Sequence, residues 1–138
     1  MNVKIITGVL IALSLMVILS GCIGEEKTVV TARATIRETN GTPQITELVA
    51  EEQSVSALEE YRDNPAQTPG VTLIIIEKDS MQKLGYWRST KYTGPGEYEL
   101  RSELMTMPEP GERVNVIMKV VDENGDTLDT KTITLTWQ

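Results

Sequence analysis

Threonine occupies every second position from residue 130 to residue 136, with Lys131, Ile133 and Leu135 between. A period of two residues is that of a β-strand with one solvated face, and an amphipathic helix cannot accommodate it. The preceding segment, residues 113–122, is rich in Val and Ile. Asn124-Gly125 between the two segments is typical of a type I′ turn. The pattern therefore predicts a C-terminal β-hairpin.

A two-residue loop at Asn124-Gly125 also fixes which residues of the hairpin face each other. The threonines then lie on the solvated face, as expected for an antiparallel sheet with one buried side. The predicted apolar face holds the pairs Val114–Leu135 and Val116–Ile133 together with Met118 and Val120.

Further strands are predicted upstream of the hairpin, separated by Gly- and Pro-rich turns. They cover residues 28–38, 44–50, 71–77, 84–92 and 96–104. Ser56-Ala57-Leu58-Glu59 has the spacing of a capping box, which predicts a short helix to about residue 62. A longer helix over residues 46–63 stays open as an alternative. Seven short strands in about a hundred residues favour an all-β, antiparallel β-sandwich, with a small open barrel as the other fold.

The N-terminus has the organisation of an export signal. Lys4 is followed by an uncharged, mostly aliphatic stretch over residues 5–24. This stretch contains Leu19-Ser20-Gly21-Cys22, which resembles the lipobox of prokaryotic lipoprotein precursors. The resemblance implies a diacylglyceryl group on the Cys22 thiol and cleavage between Gly21 and Cys22. Membrane lipid attached through Cys22 would then be the first partner of the chain.

The alternative is an uncleaved helix of a single-pass membrane protein with a structural role. Twenty uncharged residues at about 1.5 Å each reach across roughly 30 Å of hydrocarbon. Both interpretations place the following domain outside the cell, anchored to the outer face of the membrane. The predicted divisions are a signal peptide or anchor helix over residues 1–21, a lipid-attachment site and tether over 22–27, and a β-sandwich over 28–138.

The region 28–138 resembles an immunoglobulin-like or fibronectin-III-like domain. Gly96-Glu97-Tyr98 is similar to the Gly-x-Tyr of a tyrosine corner, although it begins the fifth predicted strand rather than the sixth. The pair of cysteines that joins the two sheets of antibody domains is absent, because Cys22 is the single cysteine of the chain. The resemblance implies an exported module that binds through loops or strand edges.

Composition excludes several classes of function. The chain has no His, so a Ser-His-Asp or Cys-His triad and any imidazole metal ligand are impossible. Its 13 Lys and Arg against 20 Asp and Glu give a formal charge of −7, which argues against nucleic acid as a partner. No Gly-rich phosphate-binding motif is present. We therefore expect no enzymatic activity and no cofactor.

Four groups of side chains are candidates for a site. The first is Asp122, Glu123, Asn124, Asp126 and Asp129 in one hairpin, whose oxygen ligands suit Ca²⁺. Thr127 and Ile133 stand where an EF-hand has its Gly and Glu, so a solvated turn is the simpler interpretation. The second is Tyr86, Trp87, Tyr92 and Tyr98, either a stacking platform or core. The third is the paired acids Glu25-Glu26, Glu51-Glu52 and Glu59-Glu60, interpreted as surface charge. The fourth is Lys78, Lys83, Arg88 and Lys91, which suit anionic headgroups or a guarded strand edge.

These observations favour a membrane-anchored lipoprotein whose β-sandwich is a non-catalytic binding or envelope-assembly module. An envelope protein is then the expected protein partner. A Ca²⁺-dependent module or an enzyme based on carboxylates or Lys stays open as the alternative.

Overall fold

The computed structural model describes residues 26–56, 70–85 and 87–138, and these form seven antiparallel strands. The strands are β1 (Glu26–Thr39), β2 (Thr42–Ser56), β3 (Gly70–Glu77), β4 (Arg88–Thr90), β5 (Gly96–Glu103), β6 (Arg113–Val121) and β7 (Thr127–Thr136). They make a three-stranded sheet in the order β2-β1-β5 and a four-stranded sheet in the order β4-β3-β6-β7. The predicted all-β class and two-sheet architecture are confirmed.

The two sheets pack face to face across one apolar core, as in a β-sandwich. Alternate residues of the central strands point into this core. Small side chains on β1 leave room for larger partners, with Ala34 opposite Leu48 and Ala32 opposite Leu100. The main contributors are Val30, Ala32, Ala34 and Ile36 of β1, Val71, Leu73 and Ile75 of β3, and Val114, Val116, Met118 and Val120 of β6.

The described residues contain no helix. The predicted short helix falls on residues 57–62, which lie outside the described residues, and Ser56 is the last residue of β2. The longer helix from residue 46 is wrong for residues 46–56, which pair with β1. Ile45 and Leu48, three residues apart, are both buried. Thr46 is the extra residue of a β-bulge, so that both apolar side chains face the core from a strand.

The predicted strand over residues 84–92 is too long at both ends, because among its described residues only Arg88–Thr90 form β4. The segment before it passes between the sheets: Lys83 bridges Ile76 of the four-stranded sheet, and Gly85 bridges Leu104 next to the other sheet. The backbone nitrogen of Leu84 donates to the oxygen of Ile75 at 2.9 Å. These contacts consume the backbone groups that a longer β4 would need for its own ladder.

The C-terminal hairpin has the predicted register, with Val114 opposite Leu135 and Val116 opposite Ile133. Its turn differs from the prediction. Among the described non-glycine residues, only Asn40 and Met81 have positive φ, so Asn124 does not fit a type I′ turn. The type I′ geometry occurs instead at Asn40-Gly41, where φ is 53° and 78°. In the C-terminal hairpin, the pairing shifts by one residue after Val120, next to the turn. The rest of the hairpin therefore keeps the predicted register although its turn is of a different type.

The strand ends define two poles of the sandwich. At the lower pole β1, β4 and β6 begin and the other four strands end. The two sheets meet there through Leu104, whose nitrogen donates to the oxygen of Thr28 at 3.2 Å and which bridges Gly85. The upper pole holds the turns at residues 40–41, 94–95 and 122–126. The chain therefore enters β1 from the lower pole.

Gly70 lies at a point where the fold has no room for a side chain. It has a φ of 149°, and a Cβ there would lie 2.0 Å from the carbonyl oxygen of Thr90. Gly96 has a similar φ of 154° with nothing within 4 Å of the same position. Gly96→Ala should therefore cost about 1–3 kcal/mol from backbone strain alone. Gly70→Ala should cost about 1–3 kcal/mol more, because the β4 carbonyl must move.

Denaturant unfolding of the two variants measures this difference. Equal free energies of unfolding for Gly70→Ala and Gly96→Ala would show that β4 does not lie against Gly70 as described.

Candidate functional site

The outer face of the three-stranded sheet forms an open groove of about 530 Å³. Strand pairing builds it from two rows of side chains that run across β2, β1 and β5. One row is Val49, Arg33 and Glu99, and the other is Glu47, Thr35 and Glu97. Because Ala32, Ala34 and Ile36 of β1 face the core, Arg33 and Thr35 between them face this groove.

Arg33 is the cation at the centre of the groove. Its Nη2 lies 3.1 Å from Oε1 of Glu51, and its Nε lies 3.9 Å from Oε2 of Glu99. Arg101 lies on the other side of Glu99, with 3.4 Å between its Nη2 and Oε1. These ion pairs are solvent-exposed, so each stabilises the fold by only about 0–1 kcal/mol. These ion pairs therefore position the charged side chains of the groove but contribute little to the stability of the fold.

Val49 gives the groove an apolar contact point, since its side chain is 56% exposed between charged neighbours. Glu47, Glu97 and Glu99 outnumber Arg33 along the lining and make the groove acidic. The groove therefore combines one exposed apolar side chain with an excess of negative charge.

The Asp hairpin is used by the fold itself. The Asp122 Oδ1 accepts hydrogen bonds from the nitrogens of Asn124 and Asp126, each at 2.9 Å, and so organises the turn. The Asp129 Oδ2 accepts a hydrogen bond from the nitrogen of Ile45 at 2.6 Å. This second bond joins β7 to the free edge of β2, and therefore joins the two sheets. Within the described ranges, no group of three or more carboxylate or thiol side chains is arranged to hold a metal ion.

The aromatic residues do not form one exposed strip. Tyr92 and Tyr98 stack with ring centroids 5.8 Å apart and pack against the core. The Tyr98 hydroxyl donates to the carbonyl oxygen of Gly94 and accepts from the nitrogen of Thr93 at 3.0 Å. Trp87 is half-buried, with the Lys83 Nζ 5.4 Å from its ring centroid. Tyr86 lies outside the described residues.

Tyr92 has a strongly perturbed hydroxyl group. It donates a hydrogen bond to the Oε1 of Glu38 at 2.9 Å, near the upper pole. Burial, followed by this hydrogen bond and the Glu38 charge, raises the pKa of Tyr92 to about 12. The bond links the end of β1 to the loop between β4 and β5, so its role is to hold two elements together.

The basic and acidic candidates are dispersed. Arg88 is buried and forms an ion pair with Glu103 at 4.0 Å, whereas Lys83 and Lys91 are exposed. Glu51 faces the groove, and its neighbour Glu52 is half-buried. Glu25, Glu59 and Glu60 lie outside the described residues, and so does the side chain of Glu26. The lipobox residues Gly21 and Cys22 also lie outside them.

The sequence indicated two residues of this region, Tyr98 as an aromatic candidate and Glu51 as surface charge, but it did not indicate the groove itself as a site. The groove is formed by side chains from three strands, among them Arg33 of β1 and Glu47 and Val49 of β2. These side chains become neighbours only when β1 pairs with β2 on one edge and with β5 on the other. The one signal within the sequence is the period of two along β1, which separates Arg33 and Thr35 from the core residues.

No family model, curated protein or solved structure matches this chain. No helix in the described part of the chain is long and apolar enough to cross a membrane.

The Asp129 bond predicts that the two sheets separate more easily when its charge is removed. Asp129→Asn should lower the free energy of unfolding by about 1–2 kcal/mol, because the nitrogen of Ile45 loses a charged acceptor. Asp126→Asn makes the same charge change in the same hairpin at an exposed side chain, and should stay within about 0.5 kcal/mol of wild type. Equal values in denaturant unfolding would contradict the assigned role of Asp129.

Tyr92 predicts a loss of stability at alkaline pH. Its ordinary pKa is 10.0 and its folded pKa is about 12, so the unfolded chain loses this proton first. The contribution of Tyr92 is therefore complete below pH 10.0 and declines as the pH rises toward 12.

Titration of phenolate absorbance should resolve Tyr92 as a late component among the four tyrosines. Tyr92→Phe should remove that component. Glu38→Gln should lower its pKa only in part, because burial is the larger cause. A single transition for all tyrosines in the folded wild type would contradict the assignment.

Proposed function

We propose that this protein is an exported lipoprotein, held at the outer face of a membrane through Cys22, whose β-sandwich is a non-catalytic binding or envelope-assembly module. The lipobox-like Leu19-Ser20-Gly21-Cys22 motivates the anchor. The observation that carries the proposal is the position of the first strand. β1 begins at Glu26, four residues after Cys22, and it begins at the lower pole.

The domain also supports an immunoglobulin-like interpretation in part. The neighbours β3, β6 and β7 have the order of the C, F and G strands in immunoglobulin domains. The Tyr98 hydroxyl bonds to the backbone four residues upstream, which is similar to a tyrosine corner. The three-stranded sheet departs from that pattern, because β1 rather than β2 is its central strand.

The groove on the three-stranded sheet is the surface that we assign to the protein partner. It lies along the side of the sandwich, so a domain tethered at its lower pole leaves the groove open to a neighbouring envelope protein. Its acidic lining suits a basic segment of that partner, with Val49 as the apolar contact. Binding of this kind needs neither a cofactor nor a general base.

Cross-linking in native membranes tests the groove. Wild-type protein should capture a reproducible partner, and Val49→Glu should lose it, because a carboxylate replaces the apolar contact in an already acidic groove. Leu128→Glu is the matched control, since Leu128 is an exposed apolar residue that lines a different hollow, at the upper pole.

Mass spectrometry of the captured proteins gives the result. Equal capture by wild type and Val49→Glu, or no reproducible partner for wild type, would contradict the proposed binding role of this surface.

A further inference from the structure

Three methionines expose most of their side chains at the lower pole. Met81 is 66% exposed, Met105 54% and Met107 55%. Within the described part of the chain, the only other large apolar residues exposed to a similar degree are Val49 in the groove and Leu128 at the upper pole. The exposed apolar surface is therefore concentrated at one end of the sandwich.

Backbone contacts bring together at this end the two loops that carry the methionines, with Met81 between β3 and β4, and Met105 and Met107 between β5 and β6. The nitrogen of Met105 donates to the oxygen of Leu84 at 2.7 Å, and Leu84 follows Met81 by three residues. Met107 lines a small hollow together with Thr28 of β1 and Trp137 at the end of the chain. The start of β1 and the methionine loops thus share one surface.

The loop that carries Met81 is held in a fixed shape. The Glu77 carboxylate accepts hydrogen bonds from the nitrogens of Asp79, at 3.0 Å, and Ser80. The nitrogen of Met81 donates to the oxygen of Glu77 at 3.0 Å. Met81 has a φ of 58°, a conformation that is uncommon for a residue other than Gly, Asn or Asp. The surrounding bonds keep Met81 at the tip in spite of this strain.

The short tether indicates what this surface meets. Three residues lie between Cys22 and Glu26, and the four residue-to-residue steps of an extended chain span at most about 14 Å. This step rests on the proposed function, because it takes the lipid to be attached to Cys22. The lower pole is then kept within that distance of the bilayer in every molecule, whereas a second copy would reach it only by encounter.

We propose that the lower pole docks on the lipid surface, with the Met81, Met105 and Met107 side chains inserted among the headgroups and upper acyl chains. The tether makes this contact intramolecular, so that even weak apolar insertion is populated. Lys78 and Lys83 flank the Met81 turn together with the exposed Asp79, and the Lys83 Nζ lies 5.4 Å from the centroid of the Trp87 ring. Glu109 is a further exposed acid, in the loop that carries Met105 and Met107. In the docked domain, the strands run roughly perpendicular to the membrane plane, and the groove on the side of the sandwich faces along that plane.

Photo-cross-linking of the full-length chain in phosphatidylcholine vesicles tests this proposal. Methionine is replaced during expression by a diazirine analogue, which reacts on illumination with whatever touches it. Lipid adducts are expected at Met81, Met105 and Met107 and not at the buried Met118. The Leu128→Met variant supplies an exposed reporter at the opposite pole, and position 128 should carry no lipid.

Peptide mapping and the intact mass of the same sample separate the outcomes. A lipidated chain whose three methionines carry no lipid, or whose position 128 carries as much, contradicts the docking and leaves the anchor standing. Cross-links from the methionines to a second copy would contradict lipid as the occupant. A mass without lipid on Cys22 contradicts the anchor, and the docking falls with it.

Discussion

The pairing of β1 with β2 on one edge and with β5 on the other is the constraint on which the rest of the molecule depends. Val30, Ala32, Ala34 and Ile36 of β1 face the core from the centre of the three-stranded sheet. The same register sends Arg33 and Thr35 to the opposite face, where they form the groove. A shift of one residue would exchange the two sets and bury a guanidinium group, so the apolar pattern specifies both the core and the groove.

The position of β1 also relates the anchor to the binding surface. Its first residue lies at the lower pole, where the three methionines are exposed, and its Arg33 and Thr35 line the groove. In the function that we propose, lipid attached just before β1 orients the sandwich by this pole and leaves the groove on its side for a partner.

The sequence could predict the structural features that depend on residues close to one another along the chain. The strict alternation around Ile133 and Leu135 gives the hairpin register, and Gly and Pro mark most of the turns. The sequence predicts the strand over residues 44–50 but neither the bulge at Thr46 nor the extension of β2 to Ser56, because both depend on pairing with β1. Two further features depend on pairing between distant segments: the Asp129 bond to Ile45, and the groove across three strands. No local pattern carries either of them.

The central claim is that lipid on Cys22 holds the domain at the membrane. The intact mass of the native, membrane-extracted protein tests it most directly, with Cys22→Ser for comparison. The account predicts a mass equal to residues 22–138 plus a lipid adduct, with the adduct lost in Cys22→Ser. A mass equal to the full, unmodified chain would contradict it, and would mean that the uncharged N-terminal stretch stays attached as a membrane helix.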